Sequence, residues 1–185
     1  EVINFAKDNK IKIIYSATSA SLGNKGKDQN LSPYTFTKSK NLKLLIHSKK
    51  WFDLRFEVLY FYNVYGPKQI KEGLMATVIG IFETEFKKNK ILPVTRPGTQ
   101  SRKFTHIEDT VRGCFYAWKQ NLNRHYILSN TKSYTILEVA KMFGGKIKLT
   151  KARLGERNKS SIVNKIGKIK TYPIPCKINL NQYIQ

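Results

Sequence analysis

Short β-rich runs alternate with helical segments along this chain, and that order restricts its fold more than any other feature of the sequence. The run at Ile11–Ser16 predicts a short buried strand, and the alternating, β-rich run at Leu54–Phe61 predicts a second strand. Pro33 to about Lys50 predicts a helix between them. Alternating strands and helices are typical of a mostly parallel sheet with helices on both faces. Such sheets carry their chemistry at the carboxyl ends of strands. We therefore expect an α/β fold with functional groups just beyond Ser16 and Tyr62.

Capping residues mark several helix boundaries. Ser32-Pro33 opens the first long helix, because serine can cap and proline has no N–H to lose at the first position. Thr105–Glu108 and Thr135–Glu138 are capping-box patterns, and Gly144-Gly145 ends the second of these helices. The stretch 146–185 is predicted to hold a strand and short helical pieces, broken by Pro173 and Pro175.

The helix after the first capping box places apolar side chains on one stripe, namely Ile107, Val111, Cys114, Phe115 and Trp118. Cys114 lies on this apolar face, so we expect a buried, reduced thiol. Cys176 is far away in sequence, and the two cysteines match no metal-ligand spacing. The sequence therefore predicts no metal site, and its cysteines favour a reducing cytoplasm.

The charge of the chain is strongly positive, +22 over 185 residues, which raises the question of nucleic acid. The basic residues are 27 lysines and 7 arginines, spread through every segment. Surfaces that read bases or clamp phosphates favour arginine for its planar fork. A nucleic-acid-binding protein is therefore the least favoured alternative, whereas a basic surface would still attract anionic substrates.

The ends and the apolar runs give no sign of a membrane protein. Leu74–Phe82, the longest strongly apolar stretch, is far shorter than the roughly 20 residues of a membrane span. Glu1–Lys7 lacks the basic-then-apolar order of a signal peptide and has no initiator methionine. We expect a cytoplasmic protein that does not bind membranes. The missing methionine fits either a start of translation upstream of Glu1 or a processed terminus.

Tyr34 and Lys38 lie four residues apart, so on a helix their side chains share one face. A phenol is a poor acid or base at neutral pH, but a neighbouring ammonium favours its ionised form. Such a pair can exchange a proton with a substrate hydroxyl while a cofactor exchanges hydride. Thr18, at the end of the preceding strand, offers a hydroxyl that could bind the same substrate oxygen.

Six ordered blocks of the sequence resemble the extended short-chain dehydrogenase/reductases, the family of NAD(P)-dependent nucleotide-sugar epimerases and dehydratases. The blocks are Ile14–Gly23, Pro33–Lys38, Phe61–Pro67, Ser101–Asp109, Ser133–Ile136 and Ala152–Glu156. They are similar to the family's strand with the catalytic Ser/Thr, its Pro-Tyr-x3-Lys helix start, its Phe-Asn-Val-Tyr-Gly-Pro block, its Arg-Asp-Phe-x-His-Val-x-Asp segment and two later signatures. The resemblance covers essentially the whole chain.

This resemblance implies a role for each matched position. Tyr34 would be the general acid/base, Lys38 would hold the nicotinamide ribose and tune Tyr34, and Thr18 would bind the reacting sugar hydroxyl. The remaining roles fall to side chains near the cofactor and the substrate: Phe61 and Tyr62 beside the nicotinamide, Asn63 at the substrate, and Arg102 and Arg153 on the nucleotide diphosphate. The implied cofactor is NAD or NADP, with NAD favoured, and the implied substrate is a nucleotide sugar.

The resemblance also implies a domain layout. Residues 1–66 would form the catalytic half of a truncated Rossmann-like domain. Residues 67–185 would form mainly a small α/β substrate-binding domain, with 91–129 partly returning to the Rossmann sheet. A homodimer is common in the family and is an open expectation for the full-length form.

Departures from the family pattern limit the functional prediction. Tyr60 stands where the family usually has arginine, and Leu22 replaces a tyrosine. Ser19 and Ala20 replace the Asp-Glu of 4,6-dehydratases, which favours epimerisation or reduction. No Gly-x-Gly-x-x-Gly occurs in the sequence, so the pyrophosphate cradle of the family is missing. A nucleotide-sugar epimerase, inactive as this isolated chain, is the first prediction, and a non-catalytic fragment or part of a split enzyme is the alternative.

Overall fold

The structure, a computed structural model, describes residues 1–22, 30–73, 75–152, 165, 166 and 168–185. Its helices are α1 (Val2–Asp8), α2 (Pro33–Phe52), α3 (Val78–Asn89), α4 (Ile107–Lys119), α5 (Ile136–Phe143) and α6 (Leu180–Ile184). Its strands are β1 (Ile13–Thr18), β2 (Phe56–Phe61), β3 (Val64–Tyr65), β4 (Ile91–Thr95), β5 (Ser101–Lys103), β6 (Thr105–His106), β7 (His125–Leu128), β8 (Ser133–Thr135), β9 (Lys146–Thr150), β10 (Lys165–Ile166) and β11 (Ile169–Ile174).

The chain forms two compact units, each built from separate segments. The first unit comprises Glu1–Phe61, Thr110–Leu128 and Ser161–Pro175. The second unit comprises Tyr62–Asp109, Ser129–Ser160 and Cys176–Gln185. The predicted division into residues 1–66 and 67–185 by function stays a prediction.

The first unit is built on a five-stranded sheet in the order β1-β2-β7-β11-β10. The first four strands run parallel, and β10 pairs antiparallel with β11. Five of the six β2 residues are buried, as expected for a central strand of a parallel sheet. The predicted α/β class with a mostly parallel sheet is confirmed.

Helices cover both faces of this sheet. On one face, Ala117 of α4 packs with Leu59 and Leu128 in a buried cluster. The contact is close at Gly113, where an added Cβ would lie 2.2 Å from a Leu128 methyl carbon. On the other face, the Tyr15 hydroxyl donates to the Lys38 carbonyl of α2 over 2.9 Å. The sheet therefore has its apolar residues covered by α2 on one side and by α4 on the other.

A buried carboxylate fixes the turn that leads into β7. Glu57 has no exposed surface, and its two oxygens accept the backbone N–H groups of Leu122 and Arg124, each over 2.8 Å. The N–H of Asn123 donates to the same carboxylate over 3.2 Å. Three donors on one carboxylate satisfy a charge that would otherwise be costly to bury.

His125, at the start of β7, makes the stability of the first unit depend on pH. The side chain is buried, stacks on Tyr60 and shares a 3.1 Å hydrogen bond with its hydroxyl. Burial lowers the pKa of His125 from 6.5 to about 4. The unfolded chain therefore binds this proton more tightly, so the stabilisation is complete above about pH 6.5 and is lost as the pH falls to 4.

We expect protonation of His125 to remove about 3 kcal/mol of unfolding free energy between pH 7 and pH 4. Urea unfolding at the two pH values measures this loss in the parent chain and in His125→Phe, which keeps a ring but cannot titrate. The variant should lose about 3 kcal/mol less over the same interval. Equal losses in the two chains would contradict the prediction.

The second unit packs α3 and α5 against short strand pairs. β4 pairs parallel with β9, β5 pairs antiparallel with β8, and β3 pairs parallel with β6. Its core consists of buried apolar side chains: Tyr65, Ile79, Phe82, Leu92, Val94, Phe104, Tyr134, Ile136, Val139, Ala140 and Leu180. The predicted capping box of α5 is confirmed, because Thr135 accepts from the Glu138 N–H while Glu138 accepts from the Thr135 N–H. Gly144 ends this helix in the left-handed conformation, as predicted.

The start and the apolar stripe of α4 differ from the sequence prediction. The helix begins at Ile107, and the His106 ring accepts the Glu108 N–H over 3.3 Å, so histidine caps where Thr105 was expected. Val111, Phe115 and Trp118 are each more than half exposed, while Thr110, Gly113 and Ala117 face inward. The sheet lies so close to α4 that only small residues fit between them.

Cys114 is less buried than the sequence predicted, and Pro173 lies within a strand that it was predicted to break. Cys114 carries a free thiol that is only partly buried, and burial raises the pKa of that thiol. Pro173 does not break the chain but lies inside β11, opposite Ile127 of β7. The β10 pairing reaches only Ile169 and Lys170, so the missing N–H at Pro173 costs no bond to that strand.

Candidate active site

Lys38 fixes α2 to the carboxyl end of β1 within the first unit. Its ammonium donates to the Ser16 carbonyl over 2.9 Å and lies 3.5 Å from the Ser16 hydroxyl. The same ammonium lies 5.5 Å from the centre of the Tyr15 ring. The helix that carries Lys38 begins as predicted, with Pro33 in its first turn and the Ser32 hydroxyl accepting the Thr35 N–H over 3.2 Å.

Tyr34 lies one helical turn before Lys38 and leaves its phenol open to solvent. Its side chain is 52% exposed, so a substrate could reach the hydroxyl. Burial raises the pKa of the neighbouring Tyr15, and its charge interaction with Tyr34 raises it further. Tyr15 is turned inward, where its hydroxyl binds the Lys38 carbonyl, and Tyr34 is turned outward.

Thr18 ends β1 and is held by a turn of small residues. Its hydroxyl accepts the Ala20 N–H over 3.1 Å, and the Ser21 hydroxyl donates to its carbonyl over 2.7 Å. In the parallel register Thr18 lies opposite Phe61, the last residue of β2. Thr18 and Phe61 thus lie at the carboxyl ends of two adjacent strands, and Lys38 contacts Ser16 near the end of the first of these strands.

Asn63, in the second unit, is held in an unusual backbone conformation. Its φ of 25° lies on the left-handed side, and its side-chain amide donates to the Lys103 carbonyl over 2.8 Å. Tyr62 beside it is fully buried. Three residues on, Gly66 has a φ of 144°, and a Cβ there would lie 2.6 Å from Ile107 Cγ2. This contact explains why the Asn-Val-Tyr-Gly block needs its glycine.

A cavity of about 440 Å³ in the second unit contains two of the predicted substrate-binding residues, Asn63 and Arg102. Its other lining residues are Val64, Ala76, Thr77, Val78, Ile79, Ile81, Phe82, Pro93, Thr95, Gln100, Phe104, Ile136 and Thr150. None of these described residues carries a carboxylate. The cavity therefore combines one guanidinium and several hydroxyl and amide groups with an apolar wall.

The amino end of α3 adds to the positive potential of this cavity. Thr77 caps the helix by accepting the Gly80 N–H over 3.1 Å, and residues 76–79 line the cavity. Helix amino ends favour anions through their unpaired N–H groups and the helix dipole. Arg102, whose guanidinium donates to the Ser101 carbonyl over 2.9 Å, lines the same cavity. The electrostatics therefore suit a phosphate group.

The sequence prediction missed four polar residues of the cavity, Thr77, Thr95, Gln100 and Thr150. Only Thr77 gives a local signal, as a hydroxyl directly before an apolar helical run. Arg153, predicted to bind the diphosphate, lies outside the described residues. In the described part of the chain, no group of three His, Cys, Asp or Glu side chains could hold a metal ion. No helix found there is long and apolar enough to cross a bilayer.

Sequence comparisons identify a family and several relatives of this chain. A model of the NAD dependent epimerase/dehydratase family matches residues 1–129. The ADP-L-glycero-D-manno-heptose-6-epimerase of Fusobacterium nucleatum is 28% identical, over 58% of this chain and 38% of its own length. An uncharacterized UDP-glucose epimerase of Bacillus subtilis, YtcB, is 36% identical, over 45% of this chain and 25% of its own. The chain thus spans less than two fifths of these relatives.

Solved structures of similar fold cover nearly the whole chain. The UDP-glucose 4-epimerase of Thermotoga maritima superposes with a TM-score of 0.83 at 19% identity, over 99% of this chain and 64% of that one. The UDP-glucuronic acid 4-epimerase of Bacillus cereus, solved with UDP-glucuronic acid and NAD, gives 0.80 at 24%, over 99% and 62%. At identities this low, the structural match establishes the fold alone, which is that of Rossmann-like sugar epimerases.

Proposed function

Because the chain belongs to the NAD dependent epimerase/dehydratase family, we propose that it carries the acid–base and substrate-binding residues of a nucleotide-sugar epimerase. The observation that carries this proposal is the 2.9 Å bond from Lys38 to the Ser16 carbonyl. It holds the helix of Tyr34 against the strand that ends in Thr18. The epimerase names of the relatives from F. nucleatum and B. subtilis agree with this activity.

The residues present suit the nicotinamide end of a dinucleotide, and we propose NAD as the cofactor because the B. cereus epimerase of similar fold was solved with NAD. The Lys38 ammonium and the exposed Tyr34 phenol stand at the carboxyl ends of parallel strands, where ribose hydroxyls find hydrogen-bonding partners. Phe61, on the adjacent strand, offers an apolar surface to the nicotinamide. When bound, the cofactor supplies the acceptor for a hydride leaving the sugar. Residues 1–185 contain no Gly-x-Gly-x-x-Gly motif for the pyrophosphate.

The chain's own part in the reaction is proton transfer and positioning. Tyr34 accepts the proton of the sugar hydroxyl when the carbon that bears this hydroxyl is oxidised, and it returns the proton when the carbon is reduced again. Thr18 holds the same hydroxyl by a hydrogen bond. Lys38 keeps the Tyr34 helix in register with β1 and binds the ribose. Ser19 and Ala20, which follow Thr18, lack the carboxylates of a dehydratase, so epimerisation is favoured.

In this proposal the cavity of the second unit binds the nucleotide diphosphate. Arg102 and the amino end of α3 attract the phosphates, and the apolar wall accepts the base. Asn63 contacts the sugar, with its amide oriented by the Lys103 carbonyl. The residues that line the cavity are all residues of this chain. Nucleotide binding to the cavity can therefore be measured without adding the cofactor.

Arg102→Ala should weaken binding of UDP-glucose by roughly 10- to 100-fold, the effect of losing hydrogen bonds to a charged group. Isothermal titration calorimetry on the 185-residue chain measures this change, with ADP-glucose as a second probe. Arg102→Lys should recover only part of the loss, because an ammonium lacks the planar fork.

Arg55→Ala is the matched control, since Arg55 is exposed in the first unit, its guanidinium donates to the Lys10 carbonyl over 3.0 Å, and it does not line the cavity. It should leave the affinity unchanged. Equal affinities of the parent and Arg102→Ala for both nucleotides would refute the assignment of the cavity.

A further inference from the structure

The hydroxyl of Thr77, which caps α3 in the second unit, gives its proton to residues that do not line the cavity. It donates to the side-chain oxygen of Gln69 over 2.7 Å, and the Ile70 carbonyl lies 3.5 Å from it. Both neighbours are acceptors, so they hold the single proton on their side. One lone pair of the hydroxyl accepts the Gly80 N–H over 3.1 Å. A hydroxyl has a second lone pair, and among the described residues no donor reaches it.

Glu83 fixes the direction of this hydrogen bond through Gln69. The side-chain nitrogen of Gln69 lies 3.1 Å from a carboxylate oxygen of Glu83. Because a carboxylate only accepts, the Gln69 amide must turn its NH₂ group to Glu83 and its oxygen to Thr77. The same carboxylate binds the Tyr183 hydroxyl over 2.7 Å and the Lys71 ammonium over 2.8 Å. The relay therefore presents Thr77 as a hydrogen-bond acceptor.

Tyr183, on the C-terminal helix α6, keeps the Glu83 carboxylate in place. Its ring packs on the rings of Tyr65 and His106, with centroids 5.1 Å and 5.6 Å apart. Burial, together with the hydrogen bond to Glu83 and its charge, raises the pKa of Tyr183 to about 12. The hydroxyl therefore stays a donor at neutral pH, and it cannot reverse the direction of the relay.

The course of α3 along the cavity places a ribose beside Thr77. Residues 76–79 line the cavity at the amino end of the helix, and Ile81 and Phe82 line its apolar part. In the proposed function the phosphates lie at the amino end and the base lies on the apolar wall. Five residues of helix span about 7.5 Å, a distance that the ribose between phosphate and base can bridge.

The phosphates themselves cannot bind the Thr77 hydroxyl in this arrangement, because a phosphate oxygen is also an acceptor. They can bind the N–H groups in the first turn of α3, which have no partner within the helix, and the Arg102 guanidinium. A ribose hydroxyl is a donor, so it fits the second lone pair of Thr77.

We propose that Thr77 is a specificity-determining residue that accepts a ribose hydroxyl of the nucleotide, and that Glu83 is the positioning residue that keeps it an acceptor. The cavity then takes ribonucleoside diphosphates in preference to their deoxy analogues. This inference rests on the proposed binding of a nucleotide diphosphate in the cavity. It adds a preference that neither Arg102 nor the helix end can provide, since both bind only the phosphates.

Isothermal titration calorimetry on the 185-residue chain compares UDP with 2′-deoxy-UDP and 3′-deoxy-UDP. At least one deoxy compound should bind roughly 3- to 10-fold more weakly than UDP, the effect of one lost hydrogen bond. The ratio of affinities is the readout, because all three compounds carry the same diphosphate. Equal affinities of the parent chain for the three compounds would overturn the inference.

Three variants test the residues that set this ratio. Thr77→Val should abolish it, and Thr77→Ser, which keeps the hydroxyl, should retain it. Glu83→Gln should lower the ratio toward one, because an amide at position 83 can donate to Gln69, whose own NH₂ group then turns to Thr77 and occupies the lone pair. A ratio that survives in Thr77→Val would overturn the role of Thr77, and a ratio unchanged in Glu83→Gln would overturn that of Glu83.

Glu85→Gln is the matched control, since Glu85 carries the same charge on α3 and does not line the cavity. Loss of either charge changes the attraction for phosphates, but that change cancels in the ratio. Glu85→Gln should therefore keep the ratio of the parent. UDP binding that Arg102→Ala weakens, without any preference for ribose, would overturn this inference and leave the proposed function standing. A chain that does not bind UDP would overturn both.

Discussion

Tyr34→Phe, made in this chain fused to a dinucleotide-binding segment of a relative, should lower kcat for epimerisation by roughly 10²- to 10⁴-fold. The substitution removes one oxygen from a side chain that is half exposed, so folding and packing should not change. The sugar hydroxyl then has no partner for its proton at the carboxyl end of β1. Substrate affinity, set mainly by the separate cavity, should stay within about threefold.

The assay follows conversion of UDP-glucose and ADP-glucose by the fused chain with NAD. Tyr116→Phe serves as control, because it removes the hydroxyl of a similarly exposed tyrosine on α4. Its kcat should equal that of the parent. If Tyr34→Phe turns over as fast as the parent fusion, Tyr34 is not the acid–base residue and the proposed mechanism is wrong.

Glu57→Leu should destabilise the first unit by about 4 kcal/mol, since it leaves three partly buried N–H groups of residues 122–124 without their acceptor. Typical domains have only about 5 to 15 kcal/mol of stability, so the variant should be partly unfolded near physiological temperature. Glu57→Gln should cost less, because one carbonyl oxygen remains. The turn before β7 loses all three bonds to residue 57 in Glu57→Leu and only part of them in Glu57→Gln.

Urea unfolding followed by hydrogen exchange in β2 and β7 reports on this unit separately. Glu72→Ala is the control, because Glu72 is exposed and its removal should change stability by less than about 0.5 kcal/mol. A Glu57→Leu chain as stable as the control would show that the turn finds other acceptors. The buried carboxylate would then have no structural role.

Much of the local structure follows from short-range sequence signals. The Ser32-Pro33 start of α2 and the Thr135–Glu138 capping box both depend on residues within one helical turn, and both are present. The placement of Tyr34 and Lys38 on one helix is local in the same sense. The ends of β1 and β2 follow from apolar runs, which explains why Thr18 and Phe61 could be assigned to strand ends.

Long-range contacts explain why the sequence did not predict the burial of α4 residues and of Glu57. The apolar stripe of α4 was visible in sequence, but its burial depends on the sheet beneath it, where Gly113 and Ala117 allow close packing. Glu57 resembles any charged residue in a strand until the turn at residues 122–124 folds onto it. No pattern within a few residues records such a contact.

The sequence by itself therefore determined the family, the order of strands and helices and the placement of Tyr34 and Lys38 on one helix, because these depend on neighbours along the chain. The tertiary structure alone decided which apolar face of α4 is exposed, which carboxylate and imidazole are buried, and which threonines line the cavity with Arg102. The physical reason is that burial and electrostatic environment are properties of space, set by residues that lie 60 or more positions apart, as Glu57 and Leu122 do.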